Sequence, residues 1–191
     1  MNLQKMFEMQ KALDERIIKE KGLEGQDLLP NLILALQVEL AECANEWRGF
    51  KHWSNDREPR TKHPLETSPN GAFRKGGNPL LEEYVDCLHF ILSIGNRIGY
   101  SDKNTKKLEG GTLRSNLDVA DQVGVFSDVF EAIAMVNEDI SLSRLGPKAS
   151  YAILFRRFNS LGKMLGFTPD QIEAAYMEKN AVNHQRQQEG Y

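Results

Sequence analysis

The stretches LQVELAECANEW (residues 36–47) and LLEEYVDCLHF (residues 80–90) decide the fold. Their apolar residues recur every three or four positions, the period of a helix buried along one side, and neither stretch alternates in the two-residue manner of a strand. Each also carries two acids at i, i+3: Glu39 with Glu42, and Glu83 with Asp86. On a helix that spacing sets two carboxylates on one face, one turn apart. At a separation of about 6 Å and an effective dielectric of about 20, such a pair repels by roughly 3 kcal/mol. The acids therefore either face solvent on separate helices or converge on a divalent cation. Oxygen-only ligands suit hard ions such as Mg²⁺, with Mn²⁺ as a substitute.

Outward from these two stretches the helical period continues, which predicts an all-α chain. A first helix is expected from Leu3 to Lys21, closed by Gly22 and Gly25. The second runs from Leu29 or Pro30 to Arg48. The third opens with Asn78 as N-cap and Pro79 at its first position and ends near Arg97. A fourth is expected from Leu117 to Asn137, and a fifth from Lys148 to Leu165. The sixth starts at Thr168, Pro169 and Gln171, a capping box with proline at the first turn, and reaches about Gln187. Between the second and third helices, residues 54–77 are polar, rich in Pro and Gly and without an apolar period, and read as a long loop. A length of 191 residues suits one domain, so residues 1–191 are read as a single helical unit with that loop inserted.

The formal net charge of −3 argues against a general binder of nucleic-acid polymers, which would carry a basic surplus or stripe. The chain contains no run of 18 apolar residues and no secretory signal pattern, so no membrane association and a cytoplasmic location are expected. Cys43 and Cys87 each follow an acid of the quartet and read as small buried helix residues in a reducing compartment. No zinc-ligand spacing is present.

The last helix carries a second polar constellation, YMEKNAVNHQRQQEGY (residues 176–191). Lys179, Asn183 and Arg186 fall at i, i+4 and i+7, so one helical face offers an ammonium, an amide and a guanidinium in a row. These are the groups that hold phosphate oxygens, although a solvated terminal helix explains the same composition. Asp86 and His89 at i, i+3 form half of a di-iron carboxylate site, which requires a second acid-x-x-His pair. Three residues before His52, His63 and His184 stand Gly49, Arg60 and Ala181, so that second pair is missing and the oxygen-only reading is the better one. His89 is then either a pocket residue or a satisfied helix histidine.

With both constellations in view, the chain resembles the dimeric all-α dUTPase family, relatives of the MazG-type nucleoside triphosphate pyrophosphohydrolases. The resemblance rests on MFEMQKALDERI (6–17), ELAECANEWRGFKHW (39–53), LLEEYVDCLHFILSIG (80–95) and the C-terminal run. The ExxE and ExxD pair marks the superfamily, whereas the DxxHF continuation and KNxxNxxRQxxGY point to the dUTPase branch. The resemblance implies a MazG-like helical bundle and a homodimer. It makes Glu39, Glu42, Glu83 and Asp86 the Mg²⁺ ligands, and Lys179, Asn183 and Arg186, with Asn180, the phosphate binders. Gln10, His89 and Phe90 then help to form the uracil and deoxyribose pocket, with Trp47, Phe50 and Trp53 as further aromatic candidates. The expected activity is Mg²⁺-dependent hydrolysis of dUTP, and of dUDP, to dUMP, with release of pyrophosphate from dUTP. Water attacks the α-phosphorus, and Glu39 or Glu42 serves as the proton acceptor. The competing expectations are a MazG-like enzyme acting on dCTP or a damaged nucleotide, and an inactive helical interaction protein.

Overall fold

A computed structural model describes residues 1–68, 71–74, 76–100, 108, 118–142 and 147–190. Among the described residues six helices carry the fold: α1 (Leu3–Glu20), α2 (Leu29–Trp47), α3 (Pro79–Arg97), α4 (Val119–Ser141), α5 (Lys148–Met164) and α6 (Pro169–Gln188). Their starts follow local chemistry. The Asn78 side chain accepts from the Leu81 backbone N–H, and Pro79 supplies a preset φ at the first turn of α3. At α6 the Thr168 hydroxyl accepts from Gln171 N–H while the Gln171 side chain takes the Thr168 N–H, completing the expected capping box. α2 stops at Trp47 because Arg48 turns left-handed, at φ +64°. The Arg48 guanidinium holds that turn by donating to the Asp56 carbonyl at 2.7 and 3.1 Å.

Two expectations need correction. α4 begins at Val119, capped by the Asp118 side chain, and extends one turn beyond Asn137 to Ser141. The extension follows the apolar stripe, which continues from Val129, Ile133 and Val136 to the half-buried Ile140; the expected start at Leu117 lies outside the described residues. The polar segment 54–77 is not simply a loop, because it contains an antiparallel hairpin of β1 (Leu65–Ser68) and β2 (Gly71–Arg74), with Leu65 opposite Arg74 and Ser68 opposite Gly71. A four-residue strand shows only two side chains per face, too few for a sequence period.

Helices α2 and α3 form the most extensive helix pair, and α4 with α5 the next. α1 and α6 pack against α3 and against each other, so α3 is the central helix. Its buried side includes Leu80, Tyr84, Cys87, Leu88, Ile91 and Leu92, all within one apolar cluster shared with the other five helices. At Gly95 a Cβ would overlap the Tyr151 hydroxyl, which donates to the Ile91 carbonyl at 2.9 Å. The segment before the hairpin ties the ends of the main pair together: Arg60 N–H donates to the Glu46 carbonyl at 2.9 Å, and Leu80 N–H donates to the Arg60 carbonyl at 3.1 Å.

Candidate active site

The α2–α3 pairing brings acids from both helices together. One carboxylate oxygen from each of Glu39, Glu83 and Asp86 lies within 4.8 Å of the others, with all three side chains half-buried. Glu42 lies outside this trio and is exposed on α2, close enough for its charge to act on Glu39 and Glu83. The trio carries an electrostatic cost that is visible in its protonation. Burial, then the neighbouring charges of Asp86, Glu39 and Glu42, pushes the Glu83 carboxyl up to about 7. Glu39 is raised by burial and by Asp86 and Glu42, and it shares a hydrogen bond with Glu83. Burial also raises Asp86, against the opposing pull of Lys179 and Arg186. Lys179 Nζ donates to Asp86 Oδ2 at 2.6 Å. Three converging oxygen donors that resist simultaneous ionisation fit a hard divalent cation, which would remove the reason for protonation.

A cleft of about 370 Å³ opens beside the trio, of a size suited to a small ligand. Glu39 and Asp86 line it, with Lys179, Asn183 and Arg186 from α6, while Gln10, His89 and Phe90 line the same cleft from α1 and α3. Leu13, Ile17, Leu28 and Leu32 give it an apolar wall. Lys179 and Arg186 also border a second cleft, of about 620 Å³, that runs to the start of α3. Asn180 does not line the first cleft; it is 3 % exposed, and its Nδ2 has no acceptor among the described residues. The three aromatic candidates also stand apart from it. Trp47 is buried against Phe126, with ring centres 5.1 Å apart, and Trp53, 67 % exposed, meets the edge of Phe50 at 5.7 Å.

Sequence reasoning missed Asp14, Ser93 and the role of Tyr176. Gln10 Nε2 is 2.8 Å from Asp14 Oδ1 and 3.0 Å from Ser93 Oγ, and Ser93 Oγ is 3.0 Å from the same Asp14 oxygen. Gln10 Oε1 is 2.6 Å from His89 Nδ1 and 3.1 Å from the Tyr176 hydroxyl. The imidazole stacks on the Tyr176 ring at 4.4 Å. Burial, with a smaller push from Lys179, lowers His89 to about 3, so the ring is neutral at physiological pH. Burial raises Asp14 to about 6, opposed by its bonds to Gln10 and Ser93 and by Arg97. A signal existed in the sequence: Gln10 with Asp14 and His89 with Ser93 are both i, i+4 polar pairs, the second inside an apolar run.

The family model for dUTPase matches residues 2–67 and 71–191. The chain belongs to the all-α dUTPase family. Its activity is therefore that of a dUTP diphosphatase, and the helical architecture agrees with the family's. A comparison with curated proteins gives no match. Among the described residues no helix is long and apolar enough to cross a membrane.

The protonation of the trio has a measurable consequence. A carboxyl raised in the folded state favours folding at low pH, and this benefit is lost as pH rises from the unfolded value near 4.5 through about 7. In chelator, Glu83→Gln removes that loss. With half of the effect screened by solvent, the melting temperature of the variant relative to the parent should rise by about 2–4 °C between pH 5 and pH 8, equivalent to about 1 kcal/mol. A difference independent of pH would contradict the assignment.

Proposed function

We propose that the chain hydrolyses dUTP to dUMP and pyrophosphate with Mg²⁺, and dUDP to dUMP and phosphate. The observation that carries this reading is the meeting, at one cleft of a dUTPase-family chain, of a carboxylate trio, a cationic helix face and a buried polar pocket. Glu39, Glu83 and Asp86 hold the cation, with Glu42 as a further ligand. Bound Mg²⁺, or Mn²⁺ in its place, supplies charge neutralisation on the phosphates and a more acidic attacking water.

The chain's own residues do the rest. Glu39 or Glu42 accepts the proton of the water whose oxygen attacks the α-phosphorus. The bond from that phosphorus to the bridging oxygen breaks, and pyrophosphate leaves with the electron pair. Lys179, Asn183 and Arg186 grip the β- and γ-phosphates, and Asn180 supports that face from beneath. Lys179 is bonded to Asp86 in the structure and lines the same cleft, so its ammonium would pass from this carboxylate to a phosphate oxygen of the bound nucleotide. Gln10, His89 and Phe90 receive the base and deoxyribose, and the leucine and isoleucine wall excludes water from that end.

One domain and a homodimer belong to the same reading. A single apolar cluster runs through all six helices. Leu34 and Val38, 62 % and 48 % exposed at i, i+4 on α2, offer an apolar stripe for a second copy. The two buried free thiols suit the cytoplasm.

Product analysis with each deoxynucleoside triphosphate tests the proposal. dUTP should be converted to dUMP and pyrophosphate, chelation should abolish turnover, Mg²⁺ or Mn²⁺ should restore it, and Glu39→Gln should lower kcat by about 10²–10⁴-fold. Preferential conversion of dCTP, or a Glu39→Gln variant matching the parent, would overturn it. Light scattering should give twice the 21.7 kDa chain mass, and a monomer mass would refute the pairing.

A further inference from the structure

Gln10 touches every member of the buried network, and its amide has two distinguishable ends. One end, Nε2, meets an Asp14 oxygen at 2.8 Å and Ser93 Oγ at 3.0 Å. An ionised carboxylate only accepts, so the amide end beside it must be the NH₂ group. Ser93 agrees with this choice, since its hydroxyl donates to Asp14 and its lone pair receives Gln10. The opposite end of Gln10 is then the oxygen, and an oxygen 2.6 Å from His89 Nδ1 requires a proton on Nδ1. The ring is neutral and carries only that proton, which leaves Nε2 as a bare acceptor. His89 Nε2 is buried and has no partner among the described residues, on a ring that lines the cleft. A buried acceptor left without a donor is costly, and a ligand donor removes the cost.

We infer that Asp14 is a positioning residue which, through Gln10 and braced by the Ser93 hydroxyl, locks His89 as the Nδ1–H tautomer, so that Nε2 accepts a hydrogen bond from an N–H or O–H of the bound nucleotide. The inference rests on the nucleotide reading of the cleft for the ligand, but not for the tautomer. Two donors on a deoxyuridine nucleotide have this chemistry: the N3–H of the base and the 3′-hydroxyl of the sugar. Cytosine has a bare N3 and would set two lone pairs against each other, so a contact at the base edge also selects uracil.

Asp14→Asn is the informative variant, because it keeps the shape and adds a group able to donate. Gln10 can then turn over, and the Nε2–H tautomer becomes accessible. ¹⁵N spectra of histidine-labelled protein at pH 8, where Asp14 is ionised in the parent, should show His89 protonated at Nδ1 alone, with the Nε2–H form appearing in Asp14→Asn. An Nε2–H parent, or an unchanged Asp14→Asn spectrum, would overturn the relay. Ser93→Ala serves as the second variant: the ionised Asp14 still accepts from Gln10 there, so the Nδ1–H form should persist, and an Nε2–H form would overturn Asp14 as the group that fixes the amide.

Calorimetry with α,β-imido nucleotides and Mg²⁺ then identifies the donor. Asp14→Asn should weaken the dUTP analogue about five- to tenfold, the worth of one neutral hydrogen bond. If the base is the donor, the preference over the dCTP analogue falls by that factor. If the sugar is the donor, the preference over the 2′,3′-dideoxyuridine analogue falls instead. Both preferences unchanged would refute the contact. A dUTP analogue that binds neither protein would refute the nucleotide reading, and the spectra would still judge the relay.

Discussion

Three carboxylates held within 4.8 Å of one another across the α2–α3 pair are the constraint on which the rest of the structure depends. Each pair repels by roughly 3 kcal/mol at such distances, and burial raises the penalty on charge. The opposing force lies directly behind the acids. Leu36, Leu40 and Cys43 of α2 and Leu80, Tyr84, Cys87 and Leu88 of α3 are almost wholly buried, and one buried leucine contributes about 1.5–3 kcal/mol. The apolar seam therefore outweighs the repulsion, and the helices stay paired with the acids unneutralised. The residual cost appears as a proton on the trio and as the Lys179 contact to Asp86.

From that seam the cleft follows. α1, α3 and α6 pack against one another, so the cleft beyond Asp86 is shared by Gln10 and Asp14 from α1 and by Lys179 and Asn183 from α6. The cleft mixes charged and neutral groups, with Glu39, Asp86, Lys179 and Arg186 beside Asp14, Arg97 and a neutral His89. A nucleotide likewise combines anionic phosphates with an uncharged base. The imidazole within it stays neutral, because His89 is too deeply buried to take a second proton.

Much of this was legible in the residues. Asn78 with Pro79, and Thr168 with Pro169 and Gln171, mark helix starts through the hydrogen bonds they make within four residues, and the structure has those bonds. The acids of the trio declared themselves by i, i+3 spacing inside apolar runs. The hairpin at Leu65–Arg74 did not, since strands of four residues leave no period. Asp14 and Ser93 were hidden for a different reason: their partnership joins positions 79 apart in sequence, which only the packing of α1 on α3 brings together. Trp47 shows the limit of grouping by composition. It follows the acids in sequence, yet its ring turns to the core against Phe126 rather than to the cleft.

The central claim is that the trio and the cationic face serve one ligand through a shared cation. Calorimetric titration of the parent with the α,β-imido dUTP analogue, with and without Mg²⁺, tests it most directly. Coupled sites predict binding at least tenfold tighter with Mg²⁺, a coupling of about 1.4 kcal/mol. Equal affinity with and without the ion would contradict it.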